Sequence, residues 1–265
     1  MDPSPSYRND VLDGWFETTA GKYLLDWERV QVDAAVTDIF GYHAVQLGLR
    51  QLDGLRCNRM PHQWQVDEFM PAETAQRPSA LLSNFSALPF PASSLDLVVA
   101  PHTLEFSADP HATLREIERV LVPEGRLVVC GLNPASLWGL RQRRAQLYRK
   151  FGFGRLFFPE HGDLIGYWRL RDWLRLLGLE PELSNFGCYR PGISQEKWFR
   201  RFEWMDGVGA RWWPILGAAY FLVAVKRVRG MRLIGPSWKS APLRAVRPVS
   251  VARRGDQSPM HRDSY

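Results

Sequence analysis

Cysteine is scarce in this chain. Three residues in 265 (Cys57, Cys130 and Cys188) are too few and too far apart for a disulfide framework or a zinc-ligand pattern. They make a reduced, cytoplasmic compartment the expectation. Long hydrophobic runs are missing too. The longest, "WWPILGAAYFLVAV" at 212–225, has 14 residues and contains Pro214. A membrane-spanning helix needs roughly 20. The opening "MDPSPSYRNDVLDGW" has no basic flank leading into an apolar core, so no signal peptide is expected. Acidic residues thin out toward the other end: from Lys226 onward ten Lys/Arg face two Asp/Glu, a net of +8. The whole chain carries only +6, so the body is close to neutral and the tail holds the charge.

The tail from about Arg229 to Tyr265 has Pro, Ser and Arg without apolar periodicity, and reads as a basic, disordered segment. A solvated tail is the first expectation for it, with contact to nucleic acid or an anionic membrane as the alternatives. The body, with 45% hydrophobic content over the whole chain, has an ordinary globular composition. Residues 1–40 form an N-terminal segment, helical from about 11. In it Leu12, Trp15, Phe16, Leu24, Leu25, Trp27 and Val30 recur at helical spacing. "HAVQLGL" (43–49) reads as a buried strand and "HQWQV" (62–66) as a second. "ALLSNF" (80–85) and "SLDLVVA" (94–100) have the nearly continuous apolar character of strands covered on both faces. "ADPHATLREIERVL" (108–121) is a helix with Asp109 as N-cap and Pro110 at its first position, broken by Pro123 and Gly125 before a fifth strand at 126–132. Strands alternating with helices imply parallel βαβ units in a doubly wound α/β sheet.

The second half differs. "SLWGLRQRRAQLYRKFGFGRLFF" (136–158) carries six Lys/Arg and no acid, interleaved with aromatics. It reads as an amphipathic surface helix, either a solvated cationic face or a peripheral membrane contact. "RLRDWLRLLGLEP" (169–181) reads as a helix stopped by Gly178, and "YFLVAVKRV" (220–228) as a long apolar strand. Eight of the eleven tryptophans lie at or beyond position 138, which concentrates aromatic surface in this half. No motif that reads nucleic acid is present.

The block "SNFSALPFPASSLDLVVAPHTLEFSADPHATLREIERVLVPEGRLVVCGLNP" (83–134) resembles the class I S-adenosylmethionine-dependent methyltransferases of the type 11 group. "NFSALPF", "LDLVV", "LEF" and "LREIERVLVPEG" stand in that family's order. The pairing with "WRLRDWLRLLGLEPELSNFGCYRP" is similar to a small bacterial subgroup. The resemblance implies a Rossmann-like seven-stranded sheet over residues 41–228, mostly parallel with one antiparallel strand at 220–226. It also implies an aromatic-rich insertion or cap at 136–168, after strand five. As activity it implies methyl transfer from S-adenosylmethionine to a small-molecule acceptor. The aromatic cap favours a flat or apolar acceptor. A non-catalytic module that keeps the fold and binds a ligand or partner is the alternative; a nicotinamide dehydrogenase is a distant third.

Several residues are implicated by this resemblance. The family's first strand ends "D-x-G-x-G-x-G"; here Gln46, Leu47 and Gly48 stand at the first three positions, and Arg50 and Leu52 replace later glycines. Either side chain, if forced to positive φ, costs roughly 1–2 kcal/mol. Asp67 or Glu68 stands where an acid binds ribose hydroxyls. Asn84 replaces the acid that meets the adenine amine, Phe85 replaces the small residue beside it, and Pro101 closes strand four. His102 and Glu105, just past that strand, are the catalytic candidates, His102 as base. Asn133, Trp138 and Tyr167 are candidates for lining an acceptor pocket.

Overall fold

The computed structural model describes residues 14–68, 81–150, 156–158, 164–193 and 195–227. The basic tail and strand residue Ala80 lie outside them. The described residues all belong to one compact unit, 1–228.

The chain enters through helix α1 (Thr19–Thr37), capped by Thr18, whose hydroxyl accepts from the Gly21 N–H. It continues through β1 (His43–Leu47), β2 (His62–Asp67), a two-residue β3 (Leu81–Leu82) and β4 (Leu95–Pro101). A one-turn helix α2 (Thr103–Phe106) precedes α3 (Pro110–Val120) and the long β5 (Leu121–Leu132). Then come α4 (Leu137–Lys150), α5 (Tyr167–Leu176), β6 (Leu179–Gly187), α6 (Glu196–Arg201), α7 (Trp204–Trp212), a 3-10 turn (Pro214–Leu216) and β7 (Ala219–Lys226).

The seven strands form one sheet in the order β3-β2-β1-β4-β5-β7-β6. Only β7 runs against its neighbours, pairing antiparallel with both β5 and β6. The strands alternate cleanly between two faces, as a pleated sheet covered on both sides requires. Ala44, Leu97, Val99 and Phe221 pack on one face beneath Leu24, Val32 and Val36 of α1. Val45, Val98, Leu127 and Leu222 pack on the other beneath Leu114 and Ile117 of α3 and Leu170 and Leu174 of α5.

Two expectations are adjusted. The third strand is far shorter than 80–85, because Ser83 onward turns on its own hydrogen bonds. The fifth begins at Leu121, directly off α3, and the expected break survives as a bulge: Leu95 pairs Leu121 whereas Leu97 pairs Arg126, with Glu124 in the left-handed region at φ 64°. Asp109 caps α3 as expected, accepting from the His111 and Ala112 N–H groups at 3.0 Å.

Candidate functional site

In this sheet β1 and β4 lie side by side, and the chain leaves them toward opposite edges. Their carboxyl ends therefore lie at the topological switch point, where open α/β sheets take ligands. The loop after β1, the end of β2, the turn after β3 and the turn after β4 converge there.

Gly48 follows β1 with φ 69°, the conformation that favours glycine, and its N–H donates to the Val66 carbonyl at 2.8 Å. Positive φ falls next on Leu49 and Asp53, not on Arg50 and Leu52, which form a 3-10 turn instead. Gln46 explains how a loop with one early glycine closes. Its buried amide donates to the carbonyls of Leu49 (2.8 Å) and Gly48 (3.2 Å) and accepts from the Gly54 N–H (2.7 Å). A carboxylate could not donate those two bonds. Leu47 is buried, and its carbonyl accepts from Thr103 Oγ1 at 2.7 Å, tying the end of β1 to the turn after β4.

Asp67 closes β2 and is 6% exposed. Arg50 reaches across to it with Nε at 2.9 Å and Nη2 at 2.5 Å, both on Oδ2. Gln65 Nε2 sits 3.2 Å from the other oxygen and donates to the Gly48 carbonyl at 2.8 Å. Glu68, the next residue, is only partly buried. Asn84 is exposed, and its Oδ1 accepts from the N–H (2.8 Å) and hydroxyl (2.7 Å) of Ser86. Phe85 is buried with its ring against Gly48: a Cβ there would lie 3.5 Å from Phe85 Cζ.

His102 follows Pro101, buried and left-handed at φ 54°. Its Nδ1 lies 2.8 Å from Glu105 Oε2 and its Nε2 lies 2.8 Å from Glu28 Oε1 on α1. Glu105 Oε1 also accepts from the Leu132 N–H at 2.5 Å. All three side chains are essentially inaccessible. Burial alone would push the ring toward neutrality, but the flanking Glu28 and Glu105 carboxylates outweigh it and hold the His102 pKa at about 10. Burial raises the Glu105 pKa despite that partner. Glu28 is the residue that sequence reasoning missed. Its signal was a carboxylate set into the apolar stripe Leu24, Leu25, Val32 and Val36.

A cavity of about 360 Å³ opens at the carboxyl ends of β5 and β6, lined in part by Asn133, Tyr167, Phe186, Ile215 and Arg143. Asn133 is fixed there by donating to the Ile215 (2.6 Å) and Gly217 (2.9 Å) carbonyls. Trp138 is not at this cavity. It is 1% exposed in an aromatic cluster with Trp15, Phe157 and Phe158, its Nε1 donating to the Arg190 carbonyl at 2.7 Å.

Residues 65–129, from β2 into β5, match the family model described as a methyltransferase domain. Over those residues the chain is similar to methyltransferases. The curated proteins agree in part. The uncharacterized protein YafS of Escherichia coli strain K12 is 31% identical over 171 residues, 63% of this chain and 65% of YafS. The malonyl-[acyl-carrier protein] O-methyltransferase of Halorhodospira halophila is 33% identical over 72 residues, 27% of this chain and 24% of that protein. The match thus spans less than two thirds of either relative. Among solved structures, a chain of the Haloferax volcanii complex of the Trm112 activator with a methyltransferase is 19% identical at a TM-score of 0.57, covering 84% of this chain and 99% of its own. A SAM-dependent methyltransferase from Thermotoga maritima is 18% identical at 0.52, covering 77% and 92%. At these identities the likeness is one of fold, and it is the fold that the resemblance implied.

Proposed function

We propose that this methyltransferase domain transfers a methyl group from S-adenosylmethionine to a small apolar or aromatic acceptor. The observation that carries the reading is placement: the matched residues 65–129 supply the ends of β2 and β4 and the body of β5, and Gly48 stands beside them at the end of β1. The residues fit a nucleoside once local contacts give way. Asp67 stands at the end of β2, ready to accept from vicinal hydroxyls once Arg50 leaves it. The Gly48 backbone presents no side chain of its own, and the buried Phe85 ring packed against it would have to turn aside to stack on a base. Asn84 reaches a base amine only by giving up its bonds to Ser86.

Bound there, the cofactor supplies an electrophilic methyl group on a sulfonium. The chain's part is to align the acceptor, for which the cavity at Asn133 and Tyr167 is the site we favour. We assign His102 and Glu105 a positioning role in place of direct base catalysis. Both ring nitrogens are bonded to carboxylates and no face of the ring reaches solvent. The pair holds the turn after β4 against α1 and β5.

The second reading, a binding module without catalysis, is favoured by one observation: Arg50 already occupies the acid at the end of β2. Calorimetric titration with S-adenosylmethionine and S-adenosylhomocysteine decides between them. Saturable binding supports the first. Absence of heat at millimolar ligand, in the wild type and in a variant without Arg50, leaves the second.

A further inference from the structure

We propose that the surface built by α6, α7 and the 3-10 turn docks on an anionic lipid bilayer. Residues 210–216, "ARWWPIL", are all exposed, Trp212 by 74% and Ile215 and Leu216 by nearly half. Upstream, Trp198 and Trp204 are 50% and 59% exposed. Tryptophan and large aliphatics left exposed over one short stretch of chain, 198–216, are costly to leave in water, and such patches mark interaction sites. No helix among the described residues is long and apolar enough to cross a membrane, so this surface lies on a bilayer and does not span it.

Charge selects the partner. Lys197, Arg200, Arg201 and Arg211 are exposed on the same elements. Among the described residues none of them has a carboxylate within ion-pair distance. Two of the three local acids have a partner of their own: Glu203 and Asp206 both pair with Arg190, Asp206 from a half-buried position. The Arg201 guanidinium stands 5.6 Å from the Trp198 ring centre. Indole rings beside unpaired cations suit the headgroup region of a bilayer, where the ring's apolar body and polar N–H are both satisfied and the cations meet phosphates. The patch also borders the cavity. Ile215 lines it together with Arg143 of α4 and Trp168 and Arg169 of α5. Leu140 and Leu147, each 55% exposed, add apolar surface on the helix that carries Arg143. A bilayer on this side would deliver a membrane-dissolved molecule to the cavity mouth. That consequence rests on the methyl-transfer reading, whereas docking itself does not.

The test is vesicle flotation of the full chain with phosphatidylcholine alone and with phosphatidylcholine containing phosphatidylglycerol, the latter also prepared with brominated acyl chains. The wild type should float with the anionic vesicles only, and brominated chains should quench its tryptophan fluorescence. The double variant W212S/W213S, altered only at exposed positions, should keep its melting temperature and its cofactor titration. It should partition roughly tenfold more weakly and lose most of the quenching. The charge variant R211E should weaken flotation without altering the melting temperature. Three results would each overturn the proposal: no association with anionic vesicles, flotation without quenching (adhesion through the basic tail only), or undiminished flotation of the double variant. Loss of cofactor binding in the wild type would refute the methyl-transfer reading and leave this one standing.

Discussion

Replacing Arg50 with alanine should loosen the fold and tighten the cofactor site together. The Arg50 guanidinium places two N–H groups on one oxygen of Asp67, and the side chains are only 17% and 9% exposed. Hydrogen bonds to charged groups contribute roughly 1.5–3 kcal/mol each way they are counted. Asp67 keeps Gln65 as a donor after the substitution, so the stability loss should fall at about 1–3 kcal/mol, readable as a lower urea midpoint with an unchanged slope. A nucleoside that needs Asp67 must first displace Arg50, and its apparent affinity is reduced by the fraction of molecules in which the acid is free. Removing the competitor returns about 1.5–3 kcal/mol, roughly a 10- to 150-fold gain in affinity for S-adenosylhomocysteine by calorimetry. Arg50→Lys, which keeps the charge and loses the fork, should fall between. Equal or weaker binding by Arg50→Ala would show that Asp67 does not meet the ligand or that Arg50 itself does.

What the sequence disclosed and what it hid divide along a physical line. The strands at 94–100 and 126–132 and the helix between them were legible because burial on both faces writes itself as continuous apolar residues, and because Asp109-Pro110 is a local start signal. The bulge at Pro123–Gly125 was legible as a break for the same local reason. The site was much less so, since its character lies in contacts between residues far apart in the chain. Counting glycines after β1 shows a depleted loop, yet cannot show that the Gln46 side chain bridges it from Leu49 to Gly54. An acid 19 residues past Gly48 can be read as a ribose ligand, but the arginine that holds it shut cannot. His102 read as a base from its ordinary pKa range. Its partner Glu28 is 74 residues away and only folding brings it within 2.8 Å.

The remaining predictions concern the same architecture. Gly48→Val puts a β-branched residue at φ 69°, costing roughly 1–2 kcal/mol of stability, and should abolish S-adenosylhomocysteine binding by calorimetry. Gly187→Ala should destabilise by about 1–3 kcal/mol in urea, because its Cβ would fall 2.1 Å from Trp27 Cε2, where α1 crosses β6. The last concerns pH. A histidine whose folded pKa stands at about 10, above the unfolded 6.5, contributes stability that is fully present below about pH 6.5 and is lost as pH rises through about 10. Each unit within that window should cost up to about 1.4 kcal/mol per proton. Burial also raises the Cys130 and Cys188 thiols and the Tyr220 hydroxyl, so alkaline destabilisation of the wild type has several sources. Glu28→Gln separates them: it keeps an acceptor for His102 Nε2 and removes the charge that most strongly holds the proton. The difference in unfolding free energy between wild type and variant should hold at about 1–3 kcal/mol from near pH 6.5 up to the variant's own, lowered histidine pKa, and close between there and about pH 10. Parallel profiles across that range would mean that Glu28 and His102 are joined as neutral partners, and that no buried imidazolium ties α1 to the end of β4.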